Sequence, residues 1–437
     1  MDENPFFTTV EELAERKSGG IMNQTVPRCH LHYNSPGASG FGVKRTGSLL
    51  PEAIMLMVSP ACCGRHGTIA GKAAGFADRM CYMHMDDVDV VTGRYLERIK
   101  DAAEDICRSV KPRPKALMIC TSCVDTLLGT DLESICREIE RSCGIPVVPA
   151  RMDPITREGK KPPMASIQQS LYHCLRRSST REDAVNLLGN FVPIDDDCEL
   201  ADILKQAGIY HMNQISACKT FEEYMKMGEA RMNLVLTPLA LAAAEDLKQR
   251  LGIPFHRVEH CYEINSIKFQ YKLLSEALDF DCNDSEYHDE ALEAIKLFES
   301  RHKGMRFAVG QTINGNPFEL SSMLIRHGMR VPFIFCHMIN DEDRRYIREL
   351  RELSPQTRVY SSVYPGMLGY GGVMTGADAA LGLDAGYYFA DALCISWNEE
   401  RYAFGYRGLI SLLGQIEAGI LNPKSHREQM HGSYLVI

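Results

Sequence analysis

Cysteine is the residue type with the most chemistry to offer in this 437-residue chain, which carries 16 of them, nine before residue 144. Cys62 and Cys63 lie in SPACCGRHG (59–67), next to a glycine that lets the backbone turn closely around a ligand and just after the apolar run EAIMLMV. Cys81 follows in DRMCYMHMDD, Cys29 precedes in VPRCHLHYNSPG, and Cys120-Thr121-Ser122-Cys123 closes the strand-like run KALMIC (115–120). A thiol where a strand ends and a helix begins is readily deprotonated, and the thiolate is the form that binds metal or exchanges disulfides. Four separated thiol positions, Cys29, Cys63, Cys81 and Cys123, are the soft donor set that an iron–sulfur cluster requires. The competing explanation is plain burial, since free cysteine is among the most buried residue types. The single CxxC also suits a thioredoxin-like dithiol, though this chain is far longer than that module. A structural zinc site would want a second CxxC or paired histidines at finger-like spacing, and the sequence has neither.

Other motifs carry less. GTIAGKAAG (67–75) resembles a phosphate loop but misses its spacing, because His66 stands five places before Gly71-Lys72 and Ala73 follows. PGMLGYGGVMTG (365–376) puts Met374 where the dinucleotide pattern needs its last glycine, so neither ATP nor NAD is expected on this chain. Arg65 and His66 beside Cys63 could tune a cluster's charge or relay protons, against the ordinary alternative of solvated turn residues. Asp125 beside Cys123 suits either coupled proton transfer or, more simply, a place in a helix cap, and the methionines of CYMHMDD (81–87) suit core filling.

The elements that must position these residues repeat one pattern: apolar run, turn, amphipathic helix, glycine, apolar run. KALMIC leads to DLESICREIERSC (131–143) and Gly144 before IPVVPA; NLVL (233–236) leads to LALAAAEDLKQRL (239–251) and Gly252 before IPFHRV. MRFAVG (305–310) leads to PFELSSMLIRH (317–327) and Gly328 before MRVPFIF, and a weaker copy joins NFVPI (190–194), ELADILKQA (199–207) and Gly208. Each glycine falls where a helix ends in a left-handed residue. The pattern predicts an α/β protein with several parallel sheets and ligand sites in the loops after residues 120, 194, 236 and 310. Boundaries near 185 and 300 divide it into an N-terminal domain, 1–185, carrying the cluster cysteines, a second domain, 186–300, and a third, 301–437, with a C-terminal helix.

Composition narrows the partners. With 48 basic and 57 acidic residues, a net charge of −9 and no long run of either sign, neither nucleic acid nor a membrane surface is an expected partner. The acidic start MDENPFFTTVEELAERKSGG lacks a secretory pattern, and no apolar stretch reaches the roughly 18 residues of a membrane span, so a cytoplasmic location is expected.

At these residues the chain resembles the nitrogenase component 1 family of oxidoreductases, which includes nitrogenase subunits, cofactor scaffolds and nitrogenase-like reductases. The anchors are SPACCGRHG, CVDTLLGTDL (123–132), ARMNLVLTPLALAAAEDLKQRLGIP (230–254) and ISWNEERYAFGYRGLISLL (395–413), with similarity from about residue 29 to 423. The resemblance implies three Rossmann-like, doubly wound domains with parallel sheets around a central cleft. It implies an iron–sulfur cluster, 4Fe–4S or P-cluster-like, with Cys63 and Cys123 as the ligands common to both subunit types, Cys29 as the α-like third ligand and Cys81 as the β-like one. It also implies an ATP-hydrolysing iron–sulfur reductase as electron donor, and a homo- or hetero-oligomer with a component 1 chain. Where the nitrogenase α subunit anchors its iron–molybdenum cofactor, this chain has Leu236 and Ile395, which cannot bind metal. Cys261 and Cys394 are nearby substitutes for holding a second metallocluster or a tetrapyrrole. The function this points to is an iron–sulfur subunit of a two-component reductase, with a cluster-assembly scaffold or a non-catalytic β-type subunit as alternatives.

Overall fold

The computed structural model describes residues 6–16, 23–26, 31, 33, 46–65, 71, 75–152, 163–397 and 403–432. The chain divides into two compact units, one of residues 40–193 and 208–258, the other of residues 1–39, 194–207 and 259–437.

The first unit holds two parallel sheets. One contains β1 (Ala53–Ser59), β2 (Met80–His84), β3 (Ala116–Thr121) and β4 (Val147–Arg151) in the order β2-β1-β3-β4, all parallel. All seven residues of β1 are buried, as expected of a strand covered on both faces, which reads as an unbroken apolar run. Alternation splits it between two cores. Ile54, Leu56 and Val58 face the helices Tyr95–Ser109 and Leu132–Cys143, while Ala53 and Met55 join a cluster that includes Ile167 and Leu247. Those two helices bury Tyr95, Ile99, Ala103, Ile106 and Cys107, and Leu132, Ile135, Cys136, Ile139 and Cys143, at the three- and four-residue spacing of a helix face. Three cysteines are thereby core residues.

The other sheet of this unit contains β5 (Glu182–Leu188), β6 (His211–Gln214), β7 (Ala230–Val235) and β8 (Phe255–Arg257), in the order β8-β7-β5-β6. Counted from its first strand, this is the same order as the preceding sheet. NFVPI, expected as a strand, is not one: β5 ends at Leu188, before Gly189 takes a φ of 108° and Pro193 removes a donor. The polar residues inside β5 hid it from an apolar-run search.

The second unit is built on β9 (Arg306–Val309), β10 (Arg330–Phe335), β11 (Arg358–Tyr360), β12 (Ala379–Leu381) and β13 (Leu393–Ile395). Their order, β11-β10-β9-β12-β13, is parallel throughout, with Phe7–Thr9 added antiparallel on β11. Gly144, Gly208, Gly252 and Gly328, the four glycines expected to close helices, all have φ between 66° and 82°. No helix among the described residues is long and apolar enough to cross a membrane.

Candidate metal centre

In an open parallel sheet the loops part at the point where the strand order reverses, leaving a crevice at the carboxyl ends. In the first sheet that point lies between β1 and β3, which pair directly with Val58 beside Thr121. The chain leaves β1 through Pro60 into a helical turn, residues 61–65, that carries Cys62 and Cys63, with their sulfurs 3.9 Å apart. It leaves β3 through Ser122 into the helix Cys123–Leu128. Strands lie about 4.8 Å apart, so Cys63 and Cys123 belong to adjoining loops at one edge of one sheet.

Local forces fix each loop. The Ser122 hydroxyl accepts from the Val124 amide at 3.4 Å and caps the helix that begins with Cys123. Ser122, not Asp125, is therefore the cap, and Asp125 occupies the first turn, fully buried. Burial raises the Asp125 carboxyl to about 6, outweighing the backbone amides of Ser122 and of Asp125 itself and the charge of Arg151, all of which favour the carboxylate. Ser59 Oγ and Thr121 Oγ1, at the ends of β1 and β3, are also buried without a partner among the described residues. The two hydroxyls lie on opposite faces of the sheet, Thr121 beside Val58 and Ser59 one residue further along, so both strand ends turn polar where the loops part.

The remaining cysteines sort by position. Cys120 is fully buried inside β3, so the CxxC presents one thiol, Cys123, and not a dithiol. Cys81 lies beside Leu56 on β2, on the face that carries buried Met83, and burial raises its thiol. Met83 and Met85 fill the same core, as expected. Cys29 and His66 lie outside the described residues, and Arg65 is exposed. Among the described residues no group of three or more His, Cys, Asp or Glu side chains is gathered as for a single metal ion.

The candidates for the second site sit in the other unit, and the partners of each among the described residues differ. Cys261 is buried, accepts from Gln270 Nε2 at 2.8 Å and lies near Glu319, with burial pushing its thiol well up. Cys394 is buried on β13, where Gly386 packs against its sulfur, and burial pushes its thiol to about 12. Leu236 and Ile395 are buried apolar side chains.

Sequence inspection passed over several polar devices. Tyr82 and His84 occupy the exposed face of β2, with the Tyr82 hydroxyl donating to the Ser59 carbonyl at 3.0 Å. Gly64 lies so close to the Tyr82 ring that a Cβ there would fall 2.1 Å from it. Strict alternation in Cys-Tyr-Met-His-Met was the available signal. In the second sheet, Asn213, Asn186 and Asn233 form a cross-strand ladder, with Asn186 Nδ2 donating to Asn233 Oδ1 at 2.8 Å.

Known proteins with this architecture give it a family. The family of nitrogenase component 1 type oxidoreductases matches residues 39–421, and the chain belongs to it. It is 24% identical over 359 residues to the nitrogenase iron-molybdenum cofactor biosynthesis protein NifE of Sinorhizobium fredii, covering 78% of this chain and 71% of that protein. It is 22% identical to the nitrogenase molybdenum-iron protein alpha chain of Methanosarcina barkeri, over 61% of this chain and 52% of that one. Among solved structures, the nitrogenase Cp1 structure at pH 6.5 superposes with a TM-score of 0.72 at 17% identity, covering 91% of this chain and 95% of that chain. The fold is thus the three-sheet, Rossmann-like α/β fold of the nitrogenase component, as the sequence led one to expect.

Proposed function

We propose that this chain is the cluster-bearing subunit of a nitrogenase-like two-component reductase. One observation carries the reading: Cys63 and Cys123 leave neighbouring parallel strands into adjoining loops at the strand reversal of one sheet. An iron–sulfur cluster held there supplies one-electron transfer, and the protein supplies its ligands and surroundings. Cys63 and Cys123 serve as anchoring thiolates, Cys62 stands in reserve beside Cys63, and Cys29 or a second component 1 chain completes the set. Exposed Val88, Val91, Leu127 and Leu128 all lie on helices that follow carboxyl ends of this sheet, which suits a seat for a partner chain. Electrons come from a separate ATP-hydrolysing iron–sulfur protein and pass on to a substrate or second cofactor.

A scaffold role in building a metallocluster is the second reading. It is favoured by relatives named as cofactor biosynthesis proteins and by Leu236 and Ile395 at the positions that the resemblance gives to cofactor anchors.

The test is iron and acid-labile sulfide on anaerobically purified protein, with an EPR spectrum after dithionite reduction. About four iron and four sulfide per chain, or half that shared across a dimer, is expected. Cys63→Ser or Cys123→Ser should abolish both. Folded, reconstituted protein without iron or sulfide would sink the assignment. Sustained turnover with a reductase partner separates the enzyme from the scaffold, which instead releases its cluster to an acceptor protein.

A further inference from the structure

We propose that His84, and not Cys81, is the β2 side chain that reaches the cluster site, as a nitrogen ligand through Nε2. The inference rests on the cluster reading above and adds a ligand to it.

Register comes first. Ser59, the last residue of β1, pairs with His84, whereas Cys81 pairs with Leu56, three residues below the rim. At about 3.3 Å per residue that puts Cys81 about 10 Å short of the edge from which the Cys62–Cys63 turn departs. The face comes second. Side chains alternate along a strand, and Cys81 shares its side with Met83, packed in the apolar core, while Tyr82 and His84 are exposed on the opposite side. No rotamer change carries a side chain through the sheet.

Several contacts then tie His84 to the cysteine turn. Gly64, the residue after Cys63, lies against the Tyr82 ring. The Tyr82 and His84 rings are 6.3 Å apart, and His84 Nδ1 is 3.5 Å from the Tyr82 hydroxyl. That hydroxyl has one proton, and it goes to the Ser59 carbonyl, which can only accept. With that hydroxyl oxygen left to accept, the Nδ1–H tautomer of His84 suits the contact, and that tautomer carries its lone pair on Nε2. A histidine whose second nitrogen donates to an oxygen is the usual arrangement of a metal-binding imidazole, because that bond fixes tautomer and ring direction.

The experiment uses the full chain, anaerobically reconstituted and reduced, with 15N-histidine, read by pulsed EPR alongside iron and sulfide content. Wild-type protein should show a histidine-nitrogen coupling that vanishes in His84→Ala, while Cys81→Ala keeps both cluster content and coupling. His84→Cys should retain iron and sulfide, lose the coupling and lower the reduction potential, since thiolate in place of imidazole favours the oxidised cluster. A wild-type cluster with no histidine coupling, or a coupling that survives in His84→Ala, overturns the proposal while leaving the cluster reading intact. Absence of iron and sulfide from folded wild-type protein overturns both.

Discussion

Glu319 shows how one residue's surroundings set the behaviour of a buried acid. Its Oε1 accepts from the Tyr262 and Glu263 amides at 2.9 Å each, while Oε2 has no partner among the described residues. Burial, with Glu263 and Glu349 adding to it, raises the carboxyl from 4.5 to about 7, more than the two amides can offset. The folded state therefore holds this proton over a range where the unfolded chain has lost it, and stability falls as pH rises from 4.5 to about 7. At about 1.4 kcal/mol per unit the loss is about 3 kcal/mol. Glu319→Gln keeps an oxygen for the two amides and removes the ionisation. Urea midpoints should show it more stable than wild type at pH 8 and equal to it near pH 4. Equal midpoints at both pH values would mean that the acid ionises freely in the folded chain.

At the scale of elements, the Asn213–Asn186–Asn233 ladder fixes how β6, β5 and β7 align. Asn186 also donates to the Met227 carbonyl at 2.8 Å, and both Asn186 and Asn233 are fully buried. A one-residue slip would turn these amides to the other face of the sheet and strand them without partners, so the ladder holds the register that sets the loops after β5 and β7. Removing one member of such a set costs more than removing two together, because the survivor is left unpaired. Asn186→Ala should destabilise the chain by about 2–3 kcal/mol. The pair Asn186→Val with Asn233→Val should cost less than that single change, measured by the same urea midpoints. The larger cost in the double variant would remove the ladder's role as a pairing device.

At the scale of the whole molecule, the second unit is discontinuous in sequence. Residues 194–207 leave the first unit and contribute Glu199, whose carboxylate accepts from the Tyr406 and Arg407 amides at 2.5 and 3.1 Å and from the Tyr271 hydroxyl at 2.6 Å. It thereby caps the helix Gly405–Leu421 from about two hundred residues away. Gly405, at φ 67°, must be glycine, because a Cβ would lie 2.0 Å from that carboxylate. Glu199→Ala should therefore cost about 2–3 kcal/mol by leaving those donors buried and unpaired. The isolated segment 259–437, which lacks both this cap and the Phe7–Thr9 edge strand, should show no cooperative melting by circular dichroism. A sharp transition in that fragment would show that the unit does not need its distant segments.

Much of this was legible in the residues themselves. The βαβ periodicity, the helix-closing glycines and the parallel sheets follow from local rules: apolar spacing declares an element, and a left-handed helix end demands glycine. The cysteine inventory, with SPACCGRHG and CVDTLLGTDL, pointed to the family before any fold was in view. Tertiary structure decided what one-dimensional spacing cannot express. The strand β5 was hidden because its asparagine is paid for by partners on neighbouring strands, 27 and 47 residues away. Cys120 and Cys123 look like one motif, but the strand ends between them, so one enters the core and the other opens a helix. Cys81 and His84 are three residues apart, yet only pairing with β1 shows which of them stands at the rim. Local sequence fixes which residues form an element, whereas the register between strands fixes which side chains meet.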